Sequence, residues 1–144
     1  MCGIAGWVAP PSQLLNESVM AAMLAAMAHR GPDGEGMYVT RSQAGESVVF
    51  GHRRLAIIDV EGAPQPMVDR AAGLALVFNG EIYNFRELRE ELIGYGYAFE
   101  RDSDTEVLLR AYQHWGEDVV HQLRGMFAFA VWDARRQQLY LARD

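Results

Sequence analysis

Leu74-Ala75-Leu76-Val77-Phe78-Asn79-Gly80-Glu81-Ile82-Tyr83-Asn84 is the stretch whose reading decides how this chain folds. Its first five residues are apolar without alternation, the pattern of a strand covered on both faces. Asn79-Gly80 falls where that apolar run ends. Asn-Gly is the leading signal for a type I′ hairpin turn. The residues beyond it, however, read as a helix rather than a returning strand. Asn84 and Glu87 have the N-cap and N3 spacing of a helix start, Phe85, Leu88 and Leu92 give its buried stripe, and Gly94 and Gly96 mark its end. The other reading of Asn79-Gly80 is chemical. An amide side chain and a flexible backbone N–H at the end of a buried strand can both point at one developing negative oxygen. The local sequence leaves both readings open.

Downstream, Ser103 and Glu106 repeat the capping spacing ahead of Val107, Leu108, Ala111, Tyr112 and Trp115, and Gly116 stops that helix. A short helix is expected over Glu117–Leu123. Met126-Phe127-Ala128-Phe129-Ala130-Val131-Trp132 is again apolar on both faces, as expected of a strand inside a sandwich. Asp133 to Gln137 make a turn, and Gln138 to Ala142 return as the hairpin partner. Upstream, Gly3-Ile4-Ala5-Gly6-Trp7-Val8 reads as a short, largely buried strand that Pro10-Pro11-Ser12 ends. Val19, Met20, Met23, Leu24 and Met27 form one helical stripe, capped by Asn16 or Ser18, with the methionines as core filler. His29-Arg30-Gly31-Pro32-Asp33-Gly34 breaks that helix. Residues 36–41 and 47–53 read as paired strands turning near Ala44-Gly45. Leu55–Val60 is a further apolar run, and the loop Glu61–Pro66 follows it.

No repeat, low-complexity tract or linker divides the 144 residues, so they are expected to form one domain. Arg143-Asp144 falls in the middle of what reads as continuing structure, and the domain is expected to be C-terminally incomplete. A net charge of −6 with scattered basic residues argues against a nucleic-acid partner. The single cysteine allows no internal disulfide framework and fits a reducing compartment. Ser18 to Ala28 have the apolarity of a signal-peptide core, but Glu17 abuts them and no basic segment precedes. They are also too short to span a membrane. The expectation is a cytoplasmic protein with no membrane partner.

Cys2 is an odd place for a structural cysteine, since chain ends fray and offer little core. Once Met1 is removed, Cys2 carries a thiol and a free α-amine on one residue. An α-amine ordinarily titrates at about 7.7–8.0, so it can serve as the nucleophile's own base. Arg53 and Arg54 stand at a strand end, where one guanidinium suits a bidentate carboxylate clamp and the alternative is a solvated charge pair. Asp104 fits either a helix cap or a substrate ammonium. His29, His52, His114 and His121 have no metal-ligand spacing, and no glycine-rich phosphate loop is present.

Six blocks in one order then carry a resemblance over essentially the whole chain. They are Met1–Ile4, His29–Asp33, Gly51–Asp59, Asn79–Asn84, Ser103–Glu106 and Gly125–Ala130. Together they resemble the glutaminase domain of class II (N-terminal nucleophile) glutamine amidotransferases, most closely that of glutamine-dependent asparagine synthetases. The resemblance implies an α+β, four-layer αββα sandwich of the N-terminal nucleophile hydrolase type. It implies Cys2 as nucleophile, with the Asn79 side chain and Gly80 N–H as the oxyanion hole. It assigns Arg54 to the glutamine α-carboxylate, and Glu81 and Asp104 to its α-ammonium and neighbouring polar groups. Ile58 would add backbone contacts, and Arg30–Asp33 would shape the site. No metal or cofactor is implied for this half. ATP and Mg are expected only in the synthetase domain that relatives add, which would be the partner. An assembly of identical copies is left open. The rival readings are a glutaminase serving another ammonia acceptor, a non-catalytic glutamine-binding module, and an unfolded fragment.

Overall fold

The computed structural model describes residues 2–13, 16–55 and 64–144. Strand β1 (Gly3–Ala9) pairs antiparallel with β3 (Ser47–Arg54), whose other edge carries β2 (Gly34–Arg41). A second antiparallel sheet runs in the order β4 (Met67–Asp69), β5 (Leu74–Ile82), β6 (Gly125–Asp133), β7 (Gln138–Arg143). Alternation along each strand then sorts the side chains into layers. Ile4, Val8, Val48 and Phe50 of the first sheet share one cluster with Ala75, Val77, Ala130 and Trp132 of the second. That cluster is the layer between the sheets.

The outward faces are covered by helices. Met20 and Leu24 of α1 (Glu17–Ala26) lie on Val49, with Ala5, Trp7 and Met37 around them. On the other side, Leu74, Leu76, Phe78, Ile82, Phe127, Phe129 and Val131 meet Leu88 and Leu92 of α2 (Phe85–Gly94). Val107, Leu108, Ala111 and Tyr112 of α3 (Asp104–Trp115) complete that layer. The stack is helix, sheet, sheet, helix, as the doubly apolar β5 and β6 predict. Burying side chains of this size contributes about 1.5–3 kcal/mol each, and the central layer holds both sheets in register. Among the described residues no helix is long and apolar enough to cross a membrane.

Local departures from the sequence reading have physical causes. β5 does not end at Phe78: it continues to Ile82, with Asn79 opposite Ala128 and Gly80 opposite Phe127. The hairpin-turn reading of Asn79-Gly80 therefore fails, because the residues after it remain paired. Gly80 is nonetheless special, at φ 152 and so close to Met126 O that a Cβ there would overlap it. Asn84 begins α2 but its side chain makes no cap bond. It instead donates to Gln122 O (2.9 Å) and accepts from Arg124 N (2.8 Å), tying that corner to the approach to β6. Ser103 does cap α3, accepting from Glu106 N at 3.3 Å. The reciprocal half of the capping box is missing, because Glu106 accepts from Glu100 N and Arg101 N instead. Asn16 rather than Ser18 caps α1, accepting from Val19 N at 3.3 Å. The short helix after Trp115 is a 3₁₀ turn over Gly116–His121. β4 was not expected, since three residues are too few to show a period. The apolar run expected to Val60 lies, beyond Leu55, outside the described residues, as does the first half of the loop after it.

Candidate active site

Cys2 precedes β1 and is half-buried. Its Sγ accepts from Leu55 N at 3.3 Å and its thiol faces Leu55 O at 3.6 Å, just past the end of β3. Arg30 Nε donates to Cys2 O at 3.1 Å, so the short lead-in to β1 is pinned from two sides. The loop carrying Arg30 is itself pressed onto β3. Gly31 leaves no room for a Cβ, which would overlap the Arg53 carbonyl, and Asp33 N donates to Arg54 O at 3.0 Å. Arg53 lies opposite Glu35 in the β2–β3 register and pairs with it as a cross-strand ion pair. The charge-pair reading therefore belongs to Arg53. Alternation puts Arg54 on the other face, the inner one, with Phe50 and His52.

The facing strand is β5. Its Val77 sits in the inter-sheet cluster, and the same parity sets Asn79 on that inner face. Among the described residues Asn79 Oδ1 is buried and has no hydrogen-bond partner. Asn79 and Gly80 line a cleft of about 340 Å³ with Met126, Phe127, Ala128, Arg143 and Asp144.

The backbone of β5 also matters. β4 covers its outer edge only as far as Leu76, opposite Met67. Beyond that point no strand among the described residues pairs with this edge of β5. Phe78 N donates across this edge to Gln65 Oε1 at 2.7 Å, and His52 Nε2 donates to Phe78 O at 3.2 Å. Ile82 N donates to Asp104 Oδ2 at 3.2 Å. Gly80 lies between these residues in the alternation. Its partner across the ladder, Phe127, directs its own N–H and C=O to Asp144. Gly80 therefore presents its N–H to the open edge.

His52 is 1% exposed and bridges the two sheets. Burial is the largest influence on it and holds its pKa down to about 4, with Arg54's charge acting in the same direction and the Phe78 bond opposing. It is therefore neutral in the folded protein, while the unfolded chain takes up a proton near the ordinary value of 6.5. The stability this group contributes is complete above pH 6.5 and is lost as pH falls toward 4. The loss is on the order of 3 kcal/mol. Urea midpoints between pH 7 and 4.5 should fall in wild type and fall less in His52→Gln.

Asp104 is nearly buried, and burial raises its pKa first of all; bonds from Ile82 N and Thr105 oppose this, and Glu81's charge adds to it. Two carboxylates so placed repel, and a cation between them would relieve that repulsion.

The structure thus brings Cys2 and Arg54 to one end of the inter-sheet layer, and Asn79, Gly80 and Glu81 to the facing strand. The His52–Phe78 bond ties the two sets together. Asp104 joins from α3, behind β5. Ile58 lies outside the described residues. Among the described residues no group of three or more His, Cys, Asp and Glu is arranged to hold a metal ion. The sequence alone gives no role to Gln65, set between two prolines, and none to His52 beyond its place in the Gly51–Asp59 block.

Two facing antiparallel sheets between helical layers make an α+β sandwich, a fold this chain shares with solved structures. A solved structure titled glutamine phosphoribosylpyrophosphate amidotransferase from B. subtilis overlays 99% of this chain at a TM-score of 0.68 and 21% identity, covering 36% of that protein. A second, titled the allosteric regulatory enzyme of purine biosynthesis, overlays 100% of the chain at 0.74 and 22% identity, covering 37% of it. At that identity the likeness is one of fold.

Residues 1–144 match the glutamine amidotransferase domain, and the chain belongs to that family. Asparagine synthetase [glutamine-hydrolyzing] 3 of Bacillus subtilis is 48% identical over the whole chain, and asparagine synthetase [glutamine-hydrolyzing] 1 of the same organism is 46% identical. A putative asparagine synthetase of Mycobacterium tuberculosis is 43% identical. The chain spans 22–24% of the length of these three relatives.

Proposed function

We propose that this chain hydrolyses the side-chain amide of glutamine through a thioester on Cys2, giving glutamate and ammonia. The observation that carries the reading is the placement of Cys2 against the end of β3, opposite a β5 edge that offers an amide side chain and an outward N–H. With Met1 removed, the Cys2 α-amine takes the thiol proton and sulfur attacks the amide carbon. The carbonyl π pair moves onto oxygen, where the Asn79 amide and Gly80 N–H stabilise it. The intermediate collapses, the C–N bond breaks, and the nitrogen leaves as ammonia with the proton from the terminal ammonium. Water then attacks the thioester, with the amine again as base, and glutamate and free Cys2 are restored.

Arg54 clamps the α-carboxylate, and Glu81 with Asp104 receives the α-ammonium. No cofactor takes part in this half-reaction. The relatives' names favour asparagine as the fate of the ammonia. We assign that step, amidation of aspartate at the expense of ATP with Mg, to a synthetase domain outside these residues. The test is stoichiometric release of glutamate and ammonia from glutamine by chain lacking Met1. Chain that retains Met1 should be inactive, because it lacks the free amine. Equal rates from the two forms would contradict the assigned base.

A further inference from the structure

We infer that His52 and Gln65 are positioning residues, which together aim the donor edge formed by Asn79 and Gly80. Their role rests on the glutaminase reading above and deepens it. β4 stops opposite Leu76, so among the described residues the next outward-facing residue of β5, Phe78, has no strand to bond on that side. An unpaired buried N–H or C=O is costly, and two side chains from separate places satisfy this pair. Gln65 accepts from Phe78 N at 2.7 Å, and His52 donates to Phe78 O at 3.2 Å.

The Phe78 carbonyl belongs to the same rigid peptide plane as the Asn79 N–H. Holding both of Phe78's polar groups therefore fixes the planes that lead into Asn79. Beyond Gly80 the edge is held again by Asp104 at Ile82 N. Gly80 itself has no side chain to anchor it and adopts φ 152, so its orientation depends on these flanking holds.

The two positioning residues are also braced against one another. Gly36 of β2 lies directly opposite His52, and Gln65 O sits so close to Gly36 that a Cβ there would overlap it. Gly36, His52, Gln65 and Phe78 form one strut from the first sheet to the β5 edge. The mechanism above gives neither His52 nor Gln65 a proton to carry. Their contribution is geometric, and a misplacement of about 1 Å in such a site can cost about 10²-fold in rate.

The test compares His52→Leu and Gln65→Met with His52→Gln and Gln65→Glu. The first pair removes the bond to Phe78; the second keeps a donor or an acceptor in its place. Glutamine hydrolysis is measured with kcat normalised to the folded fraction of each variant, read from its cooperative unfolding curve, so that misfolded protein does not count. His52→Leu and Gln65→Met should lower kcat by about tenfold or more with KM within about threefold, as expected when a transition-state contact alone is lost. His52→Gln and Gln65→Glu should recover most of it.

Should His52→Leu fail to fold, Gln65→Met and its rescue carry the same comparison. Wild-type kcat per folded protein in the first pair would overturn the inference, as would losses that the second pair does not rescue. Wild-type chain that releases no ammonia would instead overturn the glutaminase reading and this inference with it.

Discussion

Cys2→Ala should reduce ammonia release from glutamine by about 10⁴-fold or more, the scale seen when a covalent nucleophile is deleted. The whole proposed reaction passes through the sulfur, and the chain has no second thiol to replace it. Cys2 is the chain's only cysteine, and among the described residues its Sγ hydrogen-bonds to the backbone N–H and C=O of Leu55. Cys2→Ser keeps the shape but offers a hydroxyl that is a poor nucleophile near pH 7, so it too should be nearly inactive. Neither change touches the buried clusters between or outside the sheets, so thermal unfolding should stay close to wild type. That separates lost chemistry from lost fold. A Cys2→Ala protein that still released ammonia at an appreciable rate would remove Cys2 from the mechanism.

Asn79→Ala should lower kcat by about 10²–10³, or about 2.7–4 kcal/mol of transition-state stabilisation, with KM for glutamine little changed. The asymmetry between kcat and KM follows from when the contact forms: the amide meets full negative charge only in the tetrahedral intermediate. The variant should also fold. Asn79 sits within the paired part of β5, and its buried Oδ1 has no partner to orphan when it is removed. Asn79→Asp is expected to be at least as damaging, because it sets a carboxylate where negative charge must develop. Steady-state assays with matched unfolding curves check both, and an Asn79→Ala enzyme with unchanged kcat would contradict the oxyanion assignment.

The layers of this fold were legible because burial on two faces leaves an unmistakable mark. The apolar runs Leu74–Phe78 and Met126–Trp132 pair with each other in the structure and form the centre of the second sheet. Helix starts were legible where a cap had no competing partner, as at Ser103. At Asn84 the helix start falls where the spacing puts it, but the amide makes no cap bond and instead reaches two backbone groups near β6, a tertiary contact invisible in local spacing.

Asn79-Gly80 shows the same limit from the other side. Local preference allowed a turn, and only pairing with Ala128 and Phe127 kept β5 running through it. The candidate site could be named from the sequence only as side chains with chemistry, Cys2, Arg54, Asn79, Glu81 and Asp104, whose roles are proposals. It was not legible where it consists of backbone edges and the groups that satisfy them. Nothing in Pro64-Gln65-Pro66 announces that its glutamine will reach Phe78 N, and nothing around His52 announces Phe78 O.

The central claim is that Cys2, with its own amine free, is acylated by glutamine. Its most direct test is mass spectrometry of protein mixed with glutamine and quenched in acid, followed by mapping of the N-terminal peptide. The expected result is a peptide that begins at Cys2 and carries one γ-glutamyl group on sulfur, lost on treatment with hydroxylamine. Rapid ammonia release with no such adduct on Cys2, or from chain that still carries Met1, would contradict it.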